Sequence, residues 1–191
     1  MRLFVAIRLP TQVVAALGDL QQQMRSLAPE ADQIVRWTKP GQLHLTLRFF
    51  GNVEEQKLDA LRVRMDLATV NFQPLNLQLG QCGCFPSSIH PRILWVGLQG
   101  DIEALSALHD LIGIQTADFG QAPEDRKFQP HLTLGRLRSA SKVSKNLGKK
   151  CEKINVAQPA SWTANEVQLM QSHLSAEGAL YQVIAQFKSR V

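Results

Sequence analysis

The sequence predicts an α+β fold built from two pseudo-repeated lobes, and three observations carry that prediction. Strand-like and helix-like segments alternate in two similar passes along 191 residues. The tetrapeptide His-Leu-Thr-Leu stands at 44–47 in the first pass and again at 131–134 in the second. No clear linker separates the passes, so residues 1–191 read as one domain.

The first element is a strand over Arg2–Leu9. Pro10 suits the first turn of a helix, in which Val13, Val14, Leu17, Leu20, Met24 and Leu27 recur at helical spacing. Ile34–Trp37 and Leu43–Phe50 read as extended, separated by a turn at Lys39-Pro40-Gly41, and Gly51-Asn52 ends the second of them. Glu54 to Thr69 is a second helix with Leu58, Leu61, Met65 and Leu67/Ala68 on its buried side. Leu75–Leu79 and Arg92–Leu98 are strands, joined by an irregular segment that holds Cys82, Gly83, Pro86 and Pro91. Asp101 caps a third helix, Ile102–Gln115. A loop over Gly120–Lys127 leads through Phe128-Gln129-Pro130 into the second motif strand. Ser139 to Lys150 forms a short basic helix, and Val167–Leu174 and Leu180–Phe187 close the chain as strands around Ala176-Glu177-Gly178.

Composition narrows the class of protein. Hydrophobic residues make up 45% and charged residues 19%, as in an ordinary globular chain and unlike a disordered one. No apolar run approaches the roughly 20 residues that span a bilayer. The opening Met1–Arg8 is too short for a signal peptide and reads as a first strand, so the expected location is the cytoplasm. Three cysteines argue against a disulfide framework, and Cys82-Gly83-Cys84 lacks a second ligand cluster, so neither metal nor cofactor is expected. The net charge of +5 suits a polyanionic partner. Seven of the cations fall between Arg136 and Lys153 against the single acid Glu152, so that run is either a solvated face or an electrostatic funnel beside the second motif.

The repeated tetrapeptide carries the chemistry. Side chains alternate faces along a strand, so His44 and Thr46 point one way while Leu45 and Leu47 point into the core, and His131 and Thr133 repeat the pattern. One His-x-Thr is more often a surface histidine beside a β-favouring threonine. Two identical copies among five histidines point instead to a two-fold site. Paired imidazoles supply one general acid and one general base, and paired hydroxyls hold anionic oxygens. Arg48 shares the face of Thr46 on a regular strand, where it touches phosphate or RNA backbone or stands as a solvated rim residue. Gly135 holds the matching place in the second copy and admits a close approach of substrate or backbone. Arg136 falls on the opposite face by parity, unless the strand bulges. Trp37, Phe49, Phe50 and Phe128 are candidate stacking platforms for a terminal base, with burial in the core as the commoner fate. His90, His109 and His173 lack a threonine two residues on and read as structural.

The stretch from Arg36 to Gly51, RWTKPGQLHLTLRFFG, resembles the first signature of the two-histidine (2H) phosphoesterases, in the branch of RNA 2′,3′-cyclic phosphodiesterases also called 2′–5′ RNA ligases. Phe128 to Arg136, FQPHLTLGR, resembles the second signature. Met1–Pro10, Arg92–Gly97 and the terminal Ser172…Tyr181 are similar to that branch in type and order, so the likeness spans nearly the whole chain. The resemblance implies a bilobal pseudo-two-fold fold, two mainly antiparallel sheets flanking a central cleft with helices outside. It implies metal-free hydrolysis of RNA 2′,3′-cyclic phosphate ends to 2′-phosphomonoesters, with 2′–5′ joining as the reverse direction. By position it implies His44 as proton donor and His131 as proton acceptor, with Thr46 and Thr133 on the phosphate and Arg48, Arg136 and Phe128 as substrate-binding candidates. The expected partner is RNA with such ends, tRNA-like fragments included, met by a monomer. Two other readings stay open: a cyclic phosphodiesterase for small nucleotides or 2′–5′ oligonucleotides, and a non-catalytic RNA-end binder.

Overall fold

The computed structural model describes residues 1–123, 127–138, 141–154, 156, 160–175 and 178–190. Ser139 at the start of the expected basic helix, Ala176-Glu177 of the last turn, and residues 124–126 of the loop before the second motif lie outside them. Strands β1 (Arg2–Arg8), β2 (Val35–Trp37), β3 (His44–Asn52), β4 (Leu75–Phe85), β5 (Ile93–Gly100), β6 (His131–Leu137), β7 (Ser161–Ala164), β8 (Glu166–Ser175) and β9 (Gly178–Lys188) alternate with helices. The helices are α1 (Thr11–Leu27), α2 (Ala31–Ile34), α3 (Leu58–Thr69), α4 (Ile102–Gln115) and α5 (Lys142–Cys151).

Strand order is β7-β4-β5-β6-β3-β1-β8-β9, and the pairings among the described residues are antiparallel. The order is palindromic about the β6–β3 junction: β5 mirrors β1, β4 mirrors β8 and β7 mirrors β9. The two expected sheets are therefore halves of one antiparallel sheet. β3 touches β6 through the single pair Leu45·Leu132, while β2 covers the rest of the same β6 edge. Each pass also lends its third strand to the opposite half, β4 to β5 and β8 to β1.

The helices bury their apolar stripes on one face of the sheet. Val13, Leu17, Leu20 and Met24 of α1, Leu105, Leu108 and Ile112 of α4, Leu61 and Met65 of α3 and Leu147 of α5 share one core with Leu45, Leu47, Leu132 and Leu134. Each such side chain contributes about 1.5–3 kcal/mol on burial. The helices also cross over: α4, which joins β5 to β6, packs on α3 and β3, and α1 packs on α5. A smaller cluster of Phe4, Ala6 and Met170, with Tyr181 against it, occupies the opposite face of β1, β8 and β9.

Several boundaries differ from those read in sequence. β4 runs on to Phe85 through Cys82-Gly83-Cys84, where a turn-like segment was expected. A bulge between Leu79 and Cys82 keeps it in register with β5, and a Cβ on Gly83 would stand 2.3 Å from the Trp95 ring, so glycine is what lets the indole lie flat there. β7 was not foreseen, being only four residues long. Asp101 takes the N-cap position of α4, yet its carboxylate accepts from the Asn76 backbone N–H at 2.7 Å instead of capping the helix. Ser141 and Ser144 form a reciprocal cap on α5. Leu67 is more than half exposed, not buried.

Candidate active site

The site is assembled where β3 meets β6. Antiparallel pairing of Leu45 with Leu132 puts His44 across from Thr133 and Thr46 across from His131, so imidazoles and hydroxyls alternate at four corners. Leu45 and Leu132 are fully buried on the helix side, and strand parity turns the four polar side chains to the other face. There they line a cleft of about 580 Å³ with Arg2, Phe4, Arg36, Trp37, Gln42, Phe49, Arg136, Ser172 and Tyr181 among its walls.

Both imidazoles are held in the same way. His44 Nδ1 donates to the Gln42 carbonyl at 2.7 Å, and His131 Nδ1 donates to the Gln129 carbonyl at 2.8 Å. A carbonyl oxygen only accepts, so each Nδ1 carries the hydrogen and Nε2 is the proton-exchanging nitrogen. The surroundings differ. His44 packs against Phe4 and Tyr181, with ring centroids 4.9 and 5.2 Å away. His131 meets Phe85 edge-on at 4.9 Å, with Trp95 at 6.3 Å. Burial pushes the His44 pKa below the ordinary imidazole value; the Gln42 carbonyl opposes that shift and the Arg136 cation adds to it. Burial likewise raises the Tyr181 pKa, against the pull of Arg136, Arg2 and Arg36.

Bulges decide which neighbours reach the cleft. In β3, Ala6 pairs with Thr46 and Val5 with Arg48, so Leu47 is the extra residue; Phe50 is a second one, between Phe49 and Gly51. In β6, Trp95 pairs with Thr133 and Leu94 with Gly135, so Leu134 is extra. Each bulge resets parity. After Thr46 the next residue on the cleft face is Phe49, and after Thr133 it is Arg136.

Arg48 is therefore not a substrate contact. The bulge at Leu47 turns it to the helix side, where it is 6% exposed. Its guanidinium donates to the carbonyl of Gly113 in the last turn of α4 and to those of Thr116, Phe119 and Gln121 beyond it. Phe128 is also outside the cleft walls, stacked on His109 at 4.0 Å with an interplanar angle of 11°. Arg136 does reach the cleft, by the bulge that strand parity alone could not supply. Gly135 admits β2 instead of substrate: a Cβ there would stand 2.6 Å from Val35. Of the stacking candidates Phe49 and Trp37 line the cleft, while Phe50 is fully buried. The basic run does not form a track beside the motif, since α5 packs through Leu147 and Cys151 into the helix-side core and only Arg136 of that run lines the cleft.

Sequence reasoning missed Arg2, Arg36 and Gln42 in the cleft, although arginines set in the otherwise apolar strands β1 and β2 were the available signal. It also missed Gln21, a buried amide within the apolar stripe of α1 that donates to the carbonyls of Thr38 and of the bulged Leu134, both at 2.8 Å. Cys82, Cys84 and Cys151 are buried free thiols. Among the described residues no group of three His, Cys, Asp or Glu side chains is placed to hold a metal ion, and no helix is long and apolar enough to cross a membrane.

A palindromic antiparallel sheet with one His-x-Thr pair from each half, facing a common cleft, defines a two-histidine phosphoesterase. The sequence profile of the 2′-5′ RNA ligase superfamily matches residues 9–176, and the chain belongs to that family. It is 28% identical over 187 residues to an RNA 2′,3′-cyclic phosphodiesterase of Methanocaldococcus jannaschii, covering 98% of this chain and 100% of that one. It is 30% identical to an RNA 2′,3′-cyclic phosphodiesterase of Thermus thermophilus, covering 100% of this chain and 91% of that one. The crystal structure of Escherichia coli LigT complexed with 3′-AMP superposes with a TM-score of 0.76 at 27% identity, covering 98% of this chain and 97% of LigT.

Proposed function

We propose that this chain hydrolyses the 2′,3′-cyclic phosphate end of RNA to a 2′-phosphomonoester, with His44 as proton donor and His131 as proton acceptor. The observation that carries this reading is the diagonal placement of two imidazoles, each locked through Nδ1, over one cleft at the Leu45·Leu132 junction. Water attacks phosphorus as His131 Nε2 takes its proton; the P–O3′ bond breaks as His44 Nε2 delivers a proton to O3′. Each such proton transfer is typically worth about 10²–10⁴ in rate. Thr46 and Thr133 hydroxyls donate to the non-bridging oxygens, where charge accumulates in the pentacoordinate state, and Arg136 adds its cation beside them. With the 5′-hydroxyl of a second RNA end in place of water, the same course accounts for 2′–5′ joining: His131 Nε2 takes the hydroxyl proton, the new P–O5′ bond forms, and the P–O3′ bond breaks as O3′ is protonated.

RNA as substrate is supported by the names of the relatives. The three buried free thiols suit a reducing compartment such as the cytoplasm. A second reading, a small cyclic nucleotide as substrate, draws on the binding of 3′-AMP by LigT. Product analysis on a defined RNA with a terminal 2′,3′-cyclic phosphate tests the proposal. A 2′-phosphate product that disappears in both His44→Ala and His131→Ala is expected; a 3′-phosphate product, or turnover retained in either variant, contradicts it.

A further inference from the structure

We infer that Arg36 binds the phosphodiester on the 5′ side of the terminal nucleotide, so that the cleft selects an RNA end over a lone cyclic nucleotide. This rests on the reading of the His/Thr site given above. A 2′,3′-cyclic phosphate carries one negative charge, because two of its oxygens are esterified within the ring. The cleft nevertheless presents three guanidiniums, Arg2, Arg36 and Arg136. Among the described residues none of the three is in an ion pair. The cleft is built for more anion than the reacting group supplies.

The three cations do not hold equivalent places. Arg2 lies over the Phe49 ring, 5.0 Å from its centroid. Arg136 follows Thr133 on the motif strand and acts on His44, so it belongs to the reacting phosphate. Arg36 stands on β2, directly across from Arg136 in the β2–β6 pairing. It reaches toward the start of β9, where its Nη2 lies 3.7 Å from where a Cβ on Gly178 would be. Like charges directly opposed on paired strands repel. Backbone pairing of Arg36·Arg136 and Trp37·Gly135 holds the two together regardless, and a chain of phosphates relieves the repulsion. Strands spaced about 4.8 Å apart, each bearing a long guanidinium arm, suit two consecutive phosphates of one strand. The planar guanidinium fork also fits a phosphodiester through two parallel hydrogen bonds.

The test compares a cyclic mononucleotide with a trinucleotide ending in a 2′,3′-cyclic phosphate, in wild type, Arg36→Gln and Arg136→Gln. The ratio of kcat/KM for trinucleotide over mononucleotide should fall about tenfold in Arg36→Gln and hold in Arg136→Gln, which slows both substrates. For the trinucleotide, the slope of log kcat/KM against log salt should become shallower by about 0.7, the counterion release of one single-strand phosphate. A ratio unchanged by Arg36→Gln, or both substrates losing in equal proportion, overturns the assignment. Affinities for a 2′-phosphorylated trinucleotide and a nucleoside 2′-monophosphate, measured by calorimetry, keep the two proposals separable. Absence of turnover in wild type sinks the hydrolase reading, whereas equal loss of affinity for both ligands in Arg36→Gln, or none, sinks this one.

Discussion

At the two imidazoles the pseudo-two-fold breaks, because Phe4 and Tyr181 enclose His44 beside the Arg136 cation while Phe85 and Trp95 flank His131. Burial, joined by the Arg136 cation, lowers the His44 pKa, so this ring takes up its proton at more acid pH than an ordinary imidazole. A proton donor must carry its proton, so kcat/KM, which reports the free enzyme, should decline as pH rises through that lowered value. Arg136→Gln removes a repelling cation, so this limb of the profile should move to higher pH; a shift to lower pH, or none, would contradict the assignment. Thr46→Val and Thr133→Val delete one oxyanion donor each at nearly constant volume, and each should cost about 10²–10³ in kcat. Steady-state kinetics on folded variants, checked by circular dichroism, measures both. The His and Thr pairs were legible in the sequence because strand parity alone puts them on one face. Arg48 was misread because parity holds only until the first extra residue, and nothing in His-Leu-Thr-Leu-Arg signals that Leu47 is one; Phe128 was a candidate through closeness to His131 in sequence, and its ring is taken up by His109 instead.

Among the elements, the bulged stretches of β3 and β6 have their own anchors, drawn from opposite helices. The carbonyl of bulged Leu134 accepts from Gln21 of α1, and Arg48, just past bulged Leu47, gathers carbonyls of the last turn of α4 and of the segment after it. A buried carbonyl left without its donor costs about 1–3 kcal/mol. Arg48→Met should therefore destabilise the protein by about 2–3 kcal/mol in urea unfolding. The variant that remains folded should keep kcat within about twofold, because Arg48 lies outside the cleft. A loss of activity at full stability would return Arg48 to the substrate. The long amphipathic helices were readable from their 3.6-residue periodicity, and their apolar stripes at Leu17, Leu20, Leu105 and Leu108 are buried as that periodicity requires. Gly80, Gly83 and two cysteines hid the second half of β4, since strand propensity penalises glycine while the Trp95 ring demands it.

For the whole molecule, the α+β class and the two-lobed plan follow from local pattern, whereas strand order does not. β4 and β5 pair as neighbours in sequence, but pairing β8 with β1 and β6 with β3 joins segments distant along the chain, which local pattern does not specify. The same distance effect misdirected the reading of charge: α5 follows the second motif in the chain yet packs on the far side of the sheet, and cleft cations come from β1, β2 and β6. If those three arginines set the attraction for RNA, neutralising Lys142, Lys145 and Lys149 together should leave the salt slope of trinucleotide turnover unchanged. A slope reduced as much as by Arg36→Gln would show that the substrate also tracks over α5.

The exchange of third strands has a consequence for how such a molecule can be divided. Cutting the connection between Phe85 and Ile93 would give two pieces, each missing an interior strand of its own half-sheet and each baring a row of unpaired backbone groups. Neither piece should fold by itself, yet the two produced together should reassemble by trading β4 for β8 and recover the cleft. By the same logic, a progenitor of one pass would have needed a twin copy of itself before it had any interior at all.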